Sequence, residues 1–205
     1  MLDESVYARH QEPGFLEELY ETGATPWEIG RPQPAFLALA KSGAIQGRVL
    51  DVGCGTGEHV LMCAQLGLDS TGVELAANAV RMAEEKASER GLTARFLRYD
   101  ALKLAELGET FDTVLDCGLF HRFQGDERTA YVDSLKSVVQ PGKRVFVLSF
   151  SDQQEEDWGP HRVSRAEFEA AFAEGWRIDA IEESTIDATV DADGIRAWLV
   201  SLTRV

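Results

Sequence analysis

Apolar positions alternate along the chain between two rhythms. Short β-branched runs fall at Val49–Val52, Ser70–Glu74, 95–99, 111–116 and 144–150, the last introduced by the turn Pro141-Gly142. Between them lie stretches of helical period. Residues 57–66 follow the first run directly. In 76–90, Ala76, Ala79, Val80, Ala83 and Ala87 recur on one face, with Gly91 as the expected C-cap. A further helix is expected over 126–139. Ser164-Arg165-Ala166-Glu167 spells a capping box, with Val163 and Phe168 as its hydrophobic staple, so another helix starts there. Runs at 176–183 and 195–203 close the pattern. Strand alternating with helix in this way predicts an α/β doubly wound, mostly parallel sheet with helices on both faces. Residues before 44 break the rhythm. A helix is expected near 13–22, then a glycine- and proline-punctuated segment over 23–34, then a short apolar helix over 35–40. This stretch is too short for a core of its own. It is read as an N-terminal helical lid (1–43) on a core (44–205), within a single domain spanning 1–205.

The richest local signal is Val49-Leu50-Asp51-Val52-Gly53-Cys54-Gly55-Thr56-Gly57. A buried strand that breaks into three alternating glycines lets backbone approach a flat small molecule closely. Glu74 ends the second apolar run, 23 residues after Asp51, near the ~20-residue offset at which an acid meets ribose hydroxyls in dinucleotide folds. A surface carboxylate closing a strand is the alternative for Glu74. The glycine order is G-x-G-x-G, not G-x-G-x-x-G/A, and Glu58 stands where a pyrophosphate would meet the positive end of the helix. A cofactor without phosphates fits better. Asp51 adds negative charge suited to an ammonium and a sulfonium. S-adenosylmethionine has both.

Composition narrows the surroundings. A chain of 205 residues with 44% hydrophobic content buries roughly 70% of its unfolded surface. Cys54, Cys63 and Cys117 are odd in number and lack C-x-x-C pairing, against a disulfide framework or zinc site, and no metal is expected. Together with an acidic, non-signal-like start and no ~20-residue apolar run, they predict a soluble cytoplasmic protein without a membrane partner. A net charge of -15 repels phosphate backbones, so no nucleic-acid partner is expected. Oligomeric state is not legible here.

V-L-D-V-G-C-G-T-G resembles the first motif of class I S-adenosylmethionine-dependent methyltransferases. The P-W-x-x-G-R-x-x-P pattern around Pro26, Trp27, Gly30, Arg31 and Pro34 is similar to the thiopurine methyltransferase-like group, with its thiol and halide branch and bacterial enzymes acting on phenols or heterocycles. The resemblance implies a Rossmann-like, seven-stranded sheet whose last strand is antiparallel. It implies that Asp51, Gly53, Cys54, Gly55, Thr56, Gly57, Glu74 and Leu75 cradle the cofactor. Asp100 would accept from the adenine amino group with the Ala101 backbone on the ring, although Asp100 could equally cap the next turn. Cys117 would lie near the methionine part, and Trp27 would cover the cofactor, or serve packing alone.

Asp116-Cys117-Gly118-Leu119-Phe120-His121-Arg122-Phe123 follows the fourth strand, at the edge where open α/β sheets bind ligands. His121 is a candidate general base for a phenol, thiol or ring nitrogen, or a loop histidine that packs or orients. Trp27, Phe120, Phe123 and Trp158 are candidate walls around a flat acceptor, though 152–158 could be an exposed acidic loop. His10, His59 and His161 read as surface residues, with His161 in a loop within reach of the acceptor. The expected function is methyl transfer to O, N or S of a small aromatic or heterocyclic acceptor by in-line displacement. A catalytically silent S-adenosylmethionine-binding sensor or partner protein is the alternative. A nicotinamide-dependent oxidoreductase has the wrong glycine spacing and no acid-base pair after the fifth strand.

Overall fold

The computed structural model describes residues 14–154 and 160–205. His10 and Trp158 lie outside them. Among the described residues two short helices, α1 (Phe15–Thr22) and α2 (Pro34–Lys41), precede β1 (Val49–Val52). The chain continues as α3 (Glu58–Gln65), β2 (Ser70–Glu74), α4 (Ala77–Glu89), β3 (Arg95–Arg98), a 3-10 segment (Ala101–Leu107) and β4 (Phe111–Cys117). A 3-10 turn (Phe120–Arg122), α5 (Gly125–Val138), β5 (Val139–Phe150), α6 (Arg165–Ala171), β6 (Trp176–Ala188) and β7 (Asp191–Arg204) follow.

One seven-stranded sheet runs in the order β3-β2-β1-β4-β5-β7-β6. The first five strands are parallel, and β7 inserts antiparallel between β5 and β6. Strand period divides the core. Leu50, Val52, Val114, Val145, Val147, Val200 and Leu202 face one layer with Tyr131 and Leu135 of α5 and Phe168 of α6. Val49, Leu115, Phe146 and Leu148 face the other, with Phe36 of α2 and Met62 and Cys63 of α3. Such two-sided burial is what a parallel sheet requires. Along α4 the buried residues are Ala79, Val80, Ala83 and Ala87, the face expected from period alone.

The capping box at Ser164 is formed in both directions: its hydroxyl accepts from Glu167 N, and the Glu167 carboxylate accepts from Ser164 N. Boundaries shift elsewhere. β5 begins at Val139, straight off α5, with Pro141-Gly142 inside its first half. β6 and β7 each run further toward their shared turn than 176–183 and 195–203. Asp187, Asp191 and Asp193 weaken strand propensity there, but the paired backbone continues through Ile186↔Ile195 to Ala188↔Asp191. That hairpin is held by the segment before α2. Thr189 N donates to Pro26 O at 2.8 Å, and Gln33 exchanges two hydrogen bonds with the Asp187 backbone, at 2.9 and 2.8 Å. Arg31 pairs with the Asp187 carboxylate at 2.7 Å.

Candidate active site

The carboxyl ends of β1, β2 and β4 open into a cavity of about 420 Å³, bordered by residues 26–33 on one side and the β6–β7 hairpin on another. Its size lies within the range of small-molecule sites. The glycine loop forms its floor. Gly55 and Gly57 hold φ of 52° and 85°, a region that L side chains rarely enter. Space demands glycine as well: a Cβ on Gly57 would come within 2.6 Å of the Phe96 ring, and one on Gly55 within 3.0 Å of the Tyr20 hydroxyl.

Glu74 organises this floor. One oxygen accepts from Gly55 N at 3.1 Å, and the other from Leu75 N at 2.7 Å and Ala76 N at 2.9 Å. Those bonds fix the loop against the end of β2 and keep an anion in the cavity wall. Asp100 caps the 3-10 segment by accepting from Leu102 N at 2.9 Å, and with Ala101 and Leu75 it also lines the cavity. Asp51 is 1% exposed, and neither of its carboxylate oxygens finds a hydrogen-bond partner among the described residues. The nearest cationic group is His59 Nδ1 at 3.6 Å. A buried carboxyl group left so poorly matched costs stability.

Cys54 and Cys117 line the cavity, but burial, then Asp51, pushes both thiols well above their usual range, so they stay protonated. Neither is a nucleophile at neutral pH. Glu58 stands in the first turn of α3, as expected, beside two cations. Although burial opposes its ionisation, Arg90 and Lys86 bind its carboxylate at 2.8–2.9 Å and hold it below the ordinary range. Lys86 also donates to Thr56 Oγ1 at 2.6 Å and Glu28 Oε1 at 3.2 Å, while Glu28 accepts from the Thr56 hydroxyl. The cofactor loop, α4 and the residue after Trp27 are thus tied through one ammonium. The Trp27 indole N–H donates to the Tyr20 hydroxyl at 3.0 Å, and both rings line the cavity.

On the β4 side, His121 is 6% exposed and accepts from Phe150 N at Nδ1, 3.3 Å, with the two rings tilted 4.7 Å apart. That bond places the proton of the neutral imidazole on Nε2. Arg122 and Phe123 line the same wall. Phe120 does not: it is fully buried, stacked on Phe168 at 4.8 Å and Phe172 at 5.5 Å in the core behind α6. Successive residues of a 3-10 turn point a third of a circle apart, so Phe120 enters the core and His121 the cavity. The aliphatic wall comes instead from Ile186, Ala188, Val190 and Ile195 of the hairpin. The turn itself hangs from Asp116, whose Oδ1 accepts from Leu119 N (2.9 Å) and Phe120 N (3.3 Å) and whose Oδ2 accepts from the Tyr131 hydroxyl (2.7 Å).

Residues 49–142 match a family described as a methyltransferase domain. The 2-heptyl-1-hydroxyquinolin-4(1H)-one methyltransferase of Mycobacteroides abscessus is 34% identical over 169 residues, covering 81% of this chain and 74% of that protein. This chain belongs to the class I S-adenosylmethionine-dependent methyltransferases. The probable thiol methyltransferase 2 of Arabidopsis thaliana is 30% identical, over 76% of this chain and 70% of that protein. A solved structure described as "Conversion of a Disulfide Bond into a Thioacetal Group during Echinomycin Biosynthesis" is 40% identical, with a TM-score of 0.79, covering 87% and 84% of the two chains. The methyltransferase uses S-adenosylmethionine, and its own site fits that cofactor. Gly53, Gly55 and Gly57 put no side chain in the path of a nucleoside, and the Glu74 carboxylate lines the cavity. Sequence reasoning missed several residues of this methyltransferase site. Tyr20, Gln33, Lys86 and Arg122 reach it through contacts distant in sequence. His59, expected at the surface, lines the cavity with a side chain 12% exposed. His161, bonded to Glu167 at 2.7 Å, is half-buried.

Proposed function

We propose that the enzyme methylates O, S or N of a small, flat, largely apolar acceptor that enters between the glycine loop and the β6–β7 hairpin. The observation that carries this is the wall facing the loop: Phe150, Ile186, Val190 and Ile195, with His121 and Arg122 as polar anchors. Relatives whose names specify a hydroxyquinolone and a thiol support the same class. When bound, S-adenosylmethionine supplies a methyl group already activated by a sulfonium. This chain's contribution is to hold and align. Glu74 would bind the ribose, Asp100 and the Ala101 backbone the adenine, and Gly53 to Gly57 with Cys117 would shape the cradle. Asp51 would balance the ammonium, and the Trp27 face would lie over the cationic end, a contact of about 0.5–2 kcal/mol.

Alignment of two reactants accounts for up to ~7–11 kcal/mol of barrier reduction, more than a general base, at ~100-fold to 10,000-fold, adds. The Phe150 N–H on His121 Nδ1 supports His121 as an orienting donor through Nε2 in preference to a proton acceptor. Residues 1–43 act in this reading as a lid on the core 44–205 of one domain. The tie through Lys86 and the clasp between Gln33 and Asp187 support that role. Free Cys54, Cys63 and Cys117 support a reducing, cytoplasmic setting. Among the described residues no helix is long and apolar enough to cross a membrane. The test is S-adenosylhomocysteine release with phenols, thiols, halides and N-heterocycles, with the methylated products identified by mass. Turnover of apolar aromatic acceptors is expected. Cofactor binding with no turnover of any acceptor would favour the silent binder and sink the proposal.

A further inference from the structure

His59 lies at a junction that the reading of the site above leaves without a role. Its Nε2 accepts from Gln33 N at 3.1 Å, and its ring stands edge-on to Phe36 with centroids 4.8 Å apart. Its Nδ1 lies 3.6 Å from Asp51 Oδ2. Gln33 is in turn clasped to the hairpin through Asp187. A continuous chain of contacts therefore runs from the acceptor wall, through the lid, to the buried acid of the cofactor site.

We propose that His59 is a positioning residue that couples lid closure to the charge at the cofactor's amino-acid end, and that it does so only as the neutral imidazole. The hydrogen bond from Gln33 N requires a lone pair on Nε2, so the ring proton sits on Nδ1 and faces Asp51. Protonation puts a second donor on Nε2, against the Gln33 N–H. It also sets a cation beside Asp51 that competes with the ammonium of the cofactor. Both effects oppose closure over a cationic ligand. The other groups around the ring are already paired or uncharged. Glu58, its helix neighbour, is held by Lys86 and Arg90, and Arg31 on the lid is paired with Asp187. Burial, then Asp51, pushes Cys63 up to about 12 and Cys117 well above its usual range, so both thiols are uncharged.

The inference rests on the cofactor assignment above, and its test separates the two. S-adenosylhomocysteine binding is measured by calorimetry between pH 5.5 and 7.5 for the wild type, His59→Gln and His59→Ala. Affinity of the wild type should fall severalfold from pH 7.5 to 5.5 as the neutral imidazole is lost. Glutamine keeps an acceptor for Gln33 N and a donor for Asp51 but does not titrate. His59→Gln should bind like wild type at pH 7.5 and lose the pH dependence, while His59→Ala should be weak throughout. A flat wild-type profile, or the wild-type slope retained in His59→Gln, would overturn the role of His59. Failure of the wild type to bind at any pH would overturn the cofactor site itself. Nitrogen-15 histidine spectra of the wild type give a readout free of folding effects. The proton should sit on Nδ1 of His59, and its pKa should drop when S-adenosylhomocysteine binds. An Nε2–H tautomer or a rise in pKa would refute the coupling.

Discussion

Replacing Tyr131 by phenylalanine deletes one oxygen from the interior and should make the stability of the enzyme depend on pH in a calculable way. The Tyr131 hydroxyl donates to Asp116 Oδ2 at 2.7 Å, and both residues are fully buried. Burial pushes Asp116 from its ordinary 3.8 up to about 7, opposed by the bonds from Tyr131, Leu119 N and Phe120 N, and raised further by Asp51. Burial also lifts the Tyr131 phenol well above its usual range, so it remains a donor. Because the folded pKa lies above the unfolded one, the native state binds more protons between about pH 4 and 7. Stability from this group therefore falls as pH rises through that window and is level outside it. Tyr131→Phe removes a hydrogen bond to the carboxylate worth about 1.5–3 kcal/mol, but one to the neutral acid worth only about 0.5–1.5 kcal/mol. The folded pKa of Asp116 should rise by about one unit or more, carrying the decline past pH 8. Urea unfolding followed by tryptophan fluorescence should show the variant's deficit to be about 1 kcal/mol larger at pH 8.5 than at pH 5.5, or roughly 2–4 °C in Tm. An equal deficit at the two pH values would refute the account of Asp116 as a buried acid that ionises near neutrality.

Other perturbations probe the cavity directly. Glu74→Gln should weaken S-adenosylhomocysteine binding at least tenfold in calorimetry, a loss of about 1.4 kcal/mol or more; unchanged affinity removes the ribose assignment. Lys86→Met cuts the tie among Glu28, Thr56 and Glu58 and should speed ligand release in stopped-flow by about fivefold to tenfold, with kcat changed less; an unaltered off-rate ends the lid reading. Trp27→Phe keeps a ring over the cavity but loses the bond to Tyr20. It should raise KM for S-adenosylmethionine less than Trp27→Ala does, and equal effects would mean that the indole N–H, not the face, matters. His121→Asn should lower kcat while cofactor affinity holds. If His121 orients without taking the proton, kcat with an already ionised thiol should drop as much as with a phenol.

What could be read from residues alone was local. The glycine loop, the burial period of α4 and the Ser164–Glu167 box involve partners within a few positions of one another, where backbone geometry and burial dictate residue type directly. Alternation of strand with helix implied a parallel sheet, and β1 and β2 are buried along their whole length as such a sheet requires. The site's remaining parts depend on contacts between distant segments. Nothing adjacent to His59 announces that Gln33 and Asp51 will flank it. Phe120 and His121 are neighbours in a tight turn, and only the stack on Phe168 and Phe172, about 50 residues later, decides which of them enters the core. The hairpin extends beyond the expected 183 and 195 despite its aspartates, and the support for it lies in the clasp to Pro26 and Gln33, more than 150 residues earlier.

That clasp sets an order on biosynthesis. Residues 26–33 are made first, and the turn of the strands that hold them over the cavity, with Asp187 and Thr189, follows only after more than 150 further residues. A nascent chain can therefore assemble the glycine loop and its parallel neighbours well before it can shut a roof over a bound nucleoside. Firm retention of the methyl donor marks a polypeptide whose synthesis has passed the hairpin, and a prematurely terminated chain should leak it.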